Sequence, residues 1–234
     1  MTVDYETAWG EWDDMIRYSP APFHRRRLIV DLARRLDFAS VLDVGCAGGD
    51  LLATLGREFD VELSGVDVSA NATAAAARRL PAATLRSLDL EHEALAREFD
   101  LVICSEVLEH CTELDRAIAH LRSMTSGHLI ATVPAGPLFP IDRAVGHHRH
   151  FSRQALTDAL GRHRFDVVEV RRWGFPFHSL YKLAINLRPQ AMLDGFAGGT
   201  YSRSQQLVGS LVRSLFYLSV PGLGWQLIVL ARAR

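Results

Sequence analysis

Residues 41–50 read V-L-D-V-G-C-A-G-G-D. Apolar residues run into a glycine-rich turn, and Leu51, Leu52 and Leu55 then recur at helical spacing, so the passage predicts strand, tight loop and helix. That is the opening unit of a doubly wound α/β fold. Gly45, Gly48 and Gly49 allow a sharp bend and close approach of a ligand to the backbone. Asp43, two residues before the first of these glycines, sharpens the reading. A carboxylate there repels a pyrophosphate, which prefers bare backbone N–H groups; a ligand carrying an amino group or a sulfonium gains from it.

Outward from this unit the pattern repeats. Residues 61–68 predict a second strand ending near Asp67, and the Ala-rich stretch 71–80 a helix. An acid at the end of the second strand can accept hydrogen bonds from both hydroxyls of a ribose; the plainer role of helix N-cap falls better to Ser69. Residues 83–88 predict a third strand followed by Asp89, and residues 99–105, F-D-L-V-I-C-S, a fourth that runs directly into Glu106, Val107, Leu108, Glu109 and His110. In a doubly wound sheet the ligand crevice lies beyond the carboxyl ends of the first and fourth strands, here residues 45–50 and 105–110. Leu114, Ile118 and Leu121 make a helix face, and residues 128–133, 165–170 and 225–231 predict the remaining strands. Upstream, residues 23–36 predict a helix with Leu28, Ile29, Leu32, Ala33 and Leu36 on its apolar face and a solvated face containing Arg25, Arg26, Arg34 and Arg35. Trp9, Trp12, Met15 and Ile16 suggest a further helix, packed on the domain or closing over a ligand.

The glycine loop resembles the D-x-G-x-G-x-G motif of class I S-adenosylmethionine (SAM) dependent methyltransferases, with Ala47 at the second glycine. S-E-V-L-E-H at 105–110 resembles the segment after the fourth strand in small-molecule members, and G-H-H-R-H-F-S at 146–152 a loop of bacterial members. The resemblance implies a Rossmann-like sheet of seven strands, mostly parallel with the last antiparallel, in one domain over 1–234. It implies SAM as cofactor and S-adenosylhomocysteine (SAH) as product, held by Asp43, Gly45, Cys46, Ala47, Gly49, Asp67, Val68, Asp89, Leu90, Ser105 and Glu106. Asp89 matches the acid that binds the adenine amino group. The expected activity is transfer of a methyl group to an oxygen or nitrogen of a small molecule with an apolar body and an acidic group. The acidic group is expected from Arg143, Arg149, Arg153, Arg171 and Arg172 gathering with aromatic residues.

His110 and His147 are candidate general bases, since imidazole titrates near neutral pH; His110 can equally be structural. His148 and Arg149 belong to the loop clamp, and Trp173, Phe175, Phe177 and Tyr181 line a candidate acceptor pocket. The triplet His147, His148 and His150 shows no H-x-E or C-x-x-C partner, so no metal is expected. Ser152 is the expected cap of the next helix. About fifty residues separate the last two strands; this insertion, 173–224, is expected to be helical, with a glycine-rich turn at 195–199 and an apolar stretch at 207–220, serving as acceptor pocket, dimer face or peripheral membrane contact.

A formal net charge of −1 over 234 residues disfavours nucleic acid as a partner. Cys46, Cys104 and Cys111 form no C-x-x-C pair and read as core residues of a reducing compartment. The acidic N-terminus has no secretory pattern, and apolar runs are interrupted before they reach a membrane span, so a cytoplasmic monomer or homodimer is expected. Two alternatives stand: a non-catalytic SAM-binding partner subunit, and a nicotinamide-dependent oxidoreductase, which Asp43 and the lack of G-x-G-x-x-G argue against.

Overall fold

The computed structural model describes residue 6 and residues 20–187, 214–216 and 218–234. The helix expected around Trp9, Trp12, Met15 and Ile16, the turn at 195–199 and most of the apolar stretch at 207–220 lie outside the described residues.

Seven strands form one sheet in the order β3-β2-β1-β4-β5-β7-β6. They are β1 (Ser40–Val44), β2 (Glu62–Asp67), β3 (Thr84–Ser87), β4 (Phe99–Ser105), β5 (Thr125–Pro134), β6 (Phe165–Trp173) and β7 (Gln226–Ala233). β1 to β5 pair in parallel, and β7 runs antiparallel between β5 and β6. Helices among the described residues include α1 (Pro20–Ala33), α2 (Asp50–Glu58), α3 (Ala70–Arg79), α4 (Leu114–Ser123), α5 (Pro140–Ala144), α6 (Arg153–Arg162) and α7 (Phe177–Asn186). Among the described residues no helix is long and apolar enough to cross a membrane.

The helix boundaries follow local chemistry. Pro20 opens α1 three residues before the expected start; its fixed φ suits a first helical residue, whose N–H has no partner in any case. Ser69 and Ser152 cap α3 and α6 through hydrogen bonds from Ala72 and Ala155 N–H. β6 outruns its expected end at Val170 because Arg171 and Arg172 continue the ladder, paired with Ile228 and Leu227. As the edge strand of the sheet it need not be apolar there.

Alternation along the central strands divides the core. Val41, Leu101, Ile103 and Ile130 face α1 and α2 through Ile29, Leu32, Leu51 and Leu55. Leu42, Val44, Val102, Cys104 and Leu129 face α4 and α6 through Ile118, Leu121, Leu156 and Leu160. Each such fully buried side chain stabilises the fold by roughly 1.5–3 kcal/mol. The two faces clamp β1 and β4 side by side, with Val44 opposite Cys104. The chain leaves β1 toward β2 on one side, while β4 continues toward β5 on the other. The loops therefore diverge there and leave a crevice.

Candidate active site

The β1 end of the crevice is built largely from backbone. Gly45 and Cys46 N–H both donate to the Val66 carbonyl, at 2.8 and 3.0 Å, which ties the loop to β2. Gly45 has φ 76°, and a Cβ on it would stand 2.4 Å from Val107 Cγ2, so the loops of β1 and β4 touch here with room for no side chain. Ala47 adopts φ 48° and donates its N–H to Asp67 Oδ2 at 2.9 Å; Asp67 Oδ1 accepts from Ser69 N–H at 2.9 Å. Asp67 is thus oriented through both oxygens, each keeping lone-pair capacity for a hydroxyl donor. Burial pushes its acid up, against the pull of those two N–H groups. Gly49, also left-handed, packs its backbone against Ala76 and Leu80. Glu6 closes the N-terminus of α3, where its carboxylate accepts from Ser69 Oγ and from Ala70 and Asn71 N–H.

Asp43 is 2% exposed, and burial, with the Asp67 charge second, pushes its acid up to about 7. It borders a cleft of about 90 Å³ lined also by Pro22, Arg25, Gly45, Cys46 and Ser105. A cation placed there would restore the ionised form of Asp43. The Cys46 thiol is buried and pushed upward by burial, the behaviour of a core group rather than a nucleophile. A larger cavity of about 220 Å³ lies over Gly65, Val66, Leu95 and Phe99, and neither Asp43 nor Asp67 lines it.

At the β2–β3 edge, Val68 is half-exposed and offers an apolar platform. Asp89 accepts from Glu91 N–H at 2.9 Å and pairs with His92 Nδ1 at 2.8 Å. Leu90 turns into the core, and its carbonyl lies 2.6 Å from His120 Nδ1, which fixes the Asp89 loop to α4.

Beyond β4 the site is assembled from distant parts of the chain. Glu106 has φ 57°, a strained value for a residue with a side chain. Its carboxylate pairs with Arg25 at 2.9 Å and accepts from Thr132 Oγ1 at 3.1 Å, while Ser105 Oγ lies 2.9 Å from the same Thr132 hydroxyl. Arg25 belonged to an expected solvated face of α1; the structure turns it into the cleft instead. Helical spacing alone cannot show which arginine of a run leans over a loop end. His110 Nδ1 lies 3.2 Å from the Gly146 carbonyl, and its ring meets His147 edge-on at 4.7 Å. His147 Nδ1 lies 3.3 Å from His150 Nε2, and His150 Nδ1 lies 3.3 Å from the Gly136 carbonyl. Asp142 forms an ion pair with Lys182 and accepts from Phe139 N–H at 2.9 Å. Burial lowers the pKa of His110; burial, then the His110 charge, takes His147 down to about 2. A base that weak removes few protons at neutral pH.

His148 is exposed, and its backbone N–H holds the Glu109 carbonyl at 2.9 Å. Arg149 reaches the Thr112 carbonyl at 3.2 Å, stapling the 146–152 loop to the segment after His110. Of the other arginines expected nearby, Arg153 donates to the Val170 carbonyl and Arg171 pairs with Glu169. Trp173 is 5% exposed and lies in the core between His24 and His178, 4.8 and 5.2 Å from their rings. Trp173, Phe177 and Tyr181 join Phe216 in one apolar cluster, whereas Phe175 is 46% exposed.

Residues 22–170 match the family model described as a methyltransferase domain. A curated relative, the ubiquinone biosynthesis O-methyltransferase of Neisseria meningitidis serogroup C, is 31% identical over 109 residues, covering 42% of this chain and 45% of the relative. The match thus spans less than half the length of that relative. The N-methyltransferase NodS of Bradyrhizobium japonicum in complex with SAH superposes with a TM-score of 0.63 at 18% identity, covering 97% of this chain and 98% of that one. The [4+2]-cyclase SpnF superposes with a TM-score of 0.62 at 19% identity, covering 89% and 81%. These structural likenesses establish the fold; that one of them is described as a cyclase shows that the fold alone does not name the reaction.

Proposed function

Because the chain belongs to the methyltransferase-domain family, we propose that it transfers the methyl group of SAM to an oxygen or nitrogen of a small molecule with an apolar body. The observation that carries this reading is the paired placement of Asp43 and Asp67 at the ends of β1 and β2. One is a buried acid with its pKa raised to about 7 beside the cleft, the other a carboxylate oriented by two backbone N–H groups. These residues fit SAM: Asp43 would meet its positive charge, Asp67 its ribose hydroxyls, and Val68 and Asp89 its adenine. Bound there, SAM supplies an electrophilic methyl on a sulfonium.

What the chain must add is alignment and exclusion of water. The close approach of Gly45 to Val107 ties the β1 and β4 loops together, and the Arg25–Glu106 pair ties α1 to the β4 loop. The family model ends at residue 170, so the later segment is where acceptor choice would be set.

The test is release of SAH by the purified protein with a panel of phenol, carboxylate and amine acceptors. Turnover with one class supports the reading. Tight SAH binding with no turnover on any class would favour a non-catalytic SAM-binding subunit instead.

A further inference from the structure

The side chain of Glu109 has no part in the account above, yet it is fully buried, and among the described residues neither of its carboxylate oxygens meets a hydrogen-bond partner. An isolated buried carboxylate is costly unless a cation or a set of donors compensates it. Among the described residues, ligand-capable atoms of Glu109, His110 and His147 lie within 4.8 Å of one another. The histidines are prepared for this. With Nδ1–H of His110 donating to the Gly146 carbonyl, its lone pair is on Nε2. With His150 Nδ1–H on the Gly136 carbonyl, His150 Nε2 accepts from His147 Nδ1–H, and the His147 lone pair is likewise on Nε2. Outer hydrogen bonds of this kind to a carbonyl or a second side chain fix the tautomer of metal-binding imidazoles. The triplet His147, His148 and His150 has no H-x-E or C-x-x-C partner in the sequence; the fold brings Glu109 and His110 to His147 from the segment after β4.

A second trio, Asp142, His147 and His150, shares His147. There the carboxylate is already engaged by Lys182 and by Phe139 N–H, so it has less need of a cation.

We propose that Glu109, His110 and His147 hold a divalent transition-metal cation at the acceptor end of the crevice. Two imidazole nitrogens and one carboxylate oxygen suit Zn²⁺, Fe²⁺ or Mn²⁺ better than Ca²⁺ or Mg²⁺. Three protein ligands leave a position open for an oxygen of the acceptor. The site's catalytic role rests on the methyl-transfer reading. An acceptor hydroxyl at the open position is made more acidic and releases its proton to water. Its oxygen then forms the O–CH₃ bond as the S–CH₃ bond breaks, the electron pair staying on sulfur to give SAH.

The test titrates Zn²⁺ by calorimetry into the full chain after stripping with a chelator, with SAH titrated separately. One equivalent should bind with micromolar or tighter affinity. Glu109→Gln and His147→Gln should each weaken it at least about 100-fold, while SAH affinity stays within about threefold of the parent. Co²⁺ in the unsubstituted chain should develop the visible absorption of a histidine-ligated site, a readout that does not depend on the variants folding. Absence of saturable Zn²⁺ binding and of that absorption overturns the site, as does binding that survives Glu109→Gln but is lost in Asp142→Asn. Metal binding without SAH binding would instead contradict the methyl-transfer reading and leave the site standing.

Discussion

The two sides of the crevice are built in different ways. On the β1–β2 side every functional group lies within a few residues of a strand end and is held by neighbouring backbone: Asp67 takes the N–H groups of Ala47 and Ser69, and the Gly45 loop hangs from the Val66 carbonyl. On the β4–β5 side the groups come from all over the chain. Glu106 meets Arg25 from α1, Thr132 from β5 and, more loosely, Gln226 from β7. The histidine row is held by Gly136 and Gly146 carbonyls, beside an Asp142 that Lys182 of α7 neutralises. One side is a local device that the α/β unit delivers wherever it occurs; the other depends on how this chain closes on itself.

Substitutions should separate the two sides. The largest effect is expected for Gly45→Val, which puts a side chain 2.4 Å from Val107 and a β-branched residue at φ 76°. It should cost about 2–4 kcal/mol in denaturant unfolding and abolish SAH binding. Arg25→Ala, on the other side, leaves Glu106 as a partly buried charge without its cation. It should cost about 1–3 kcal/mol and lower turnover, while SAH binds within threefold of the parent by calorimetry. Equal loss of SAH affinity in both variants would break the division.

The pH dependence of SAM binding follows from Asp43. Its acid is raised in the folded protein, so ionisation works against the fold as pH rises through about 7, and a bound cation offsets that cost. SAM selects the ionised form; its affinity should be flat above pH 7.5 and fall by up to about tenfold per unit below 7, measured by titration across buffers. The Asp43→Asn variant should lose that slope. The smallest effect is expected for Ala47→Gly. Relief of the left-handed strain at φ 48° is opposed by the extra freedom of glycine in the unfolded chain, so thermal stability should change by less than about 1 kcal/mol.

This contrast also explains how much was legible in the sequence. Asp43 and Gly45 are two residues apart, Asp67 ends a strand, and Ser69 and Ser152 precede helices, so short-range patterns carry the sheet, the caps and the cofactor end. Strand ends and helix starts shifted where an edge strand tolerates arginine, as in β6, or a proline opens a helix, as at Pro20. Arg25 and Lys182 were not legible as parts of a site, because nothing local marks an ion pair between residues 25 and 106 or between 142 and 182. Trp173 carried an aromatic signal that suits a pocket wall, but burial between two histidines places it in the core.

The most direct test of the central claim is calorimetric titration of SAH into the parent chain and into Asp67→Ala, with NAD as the control ligand. The account predicts micromolar SAH binding that falls by about 100-fold or more in the variant, as expected when two charge-assisted hydrogen bonds are lost, and no binding of NAD. Binding of NAD without SAH, or SAH binding indifferent to Asp67, would contradict it.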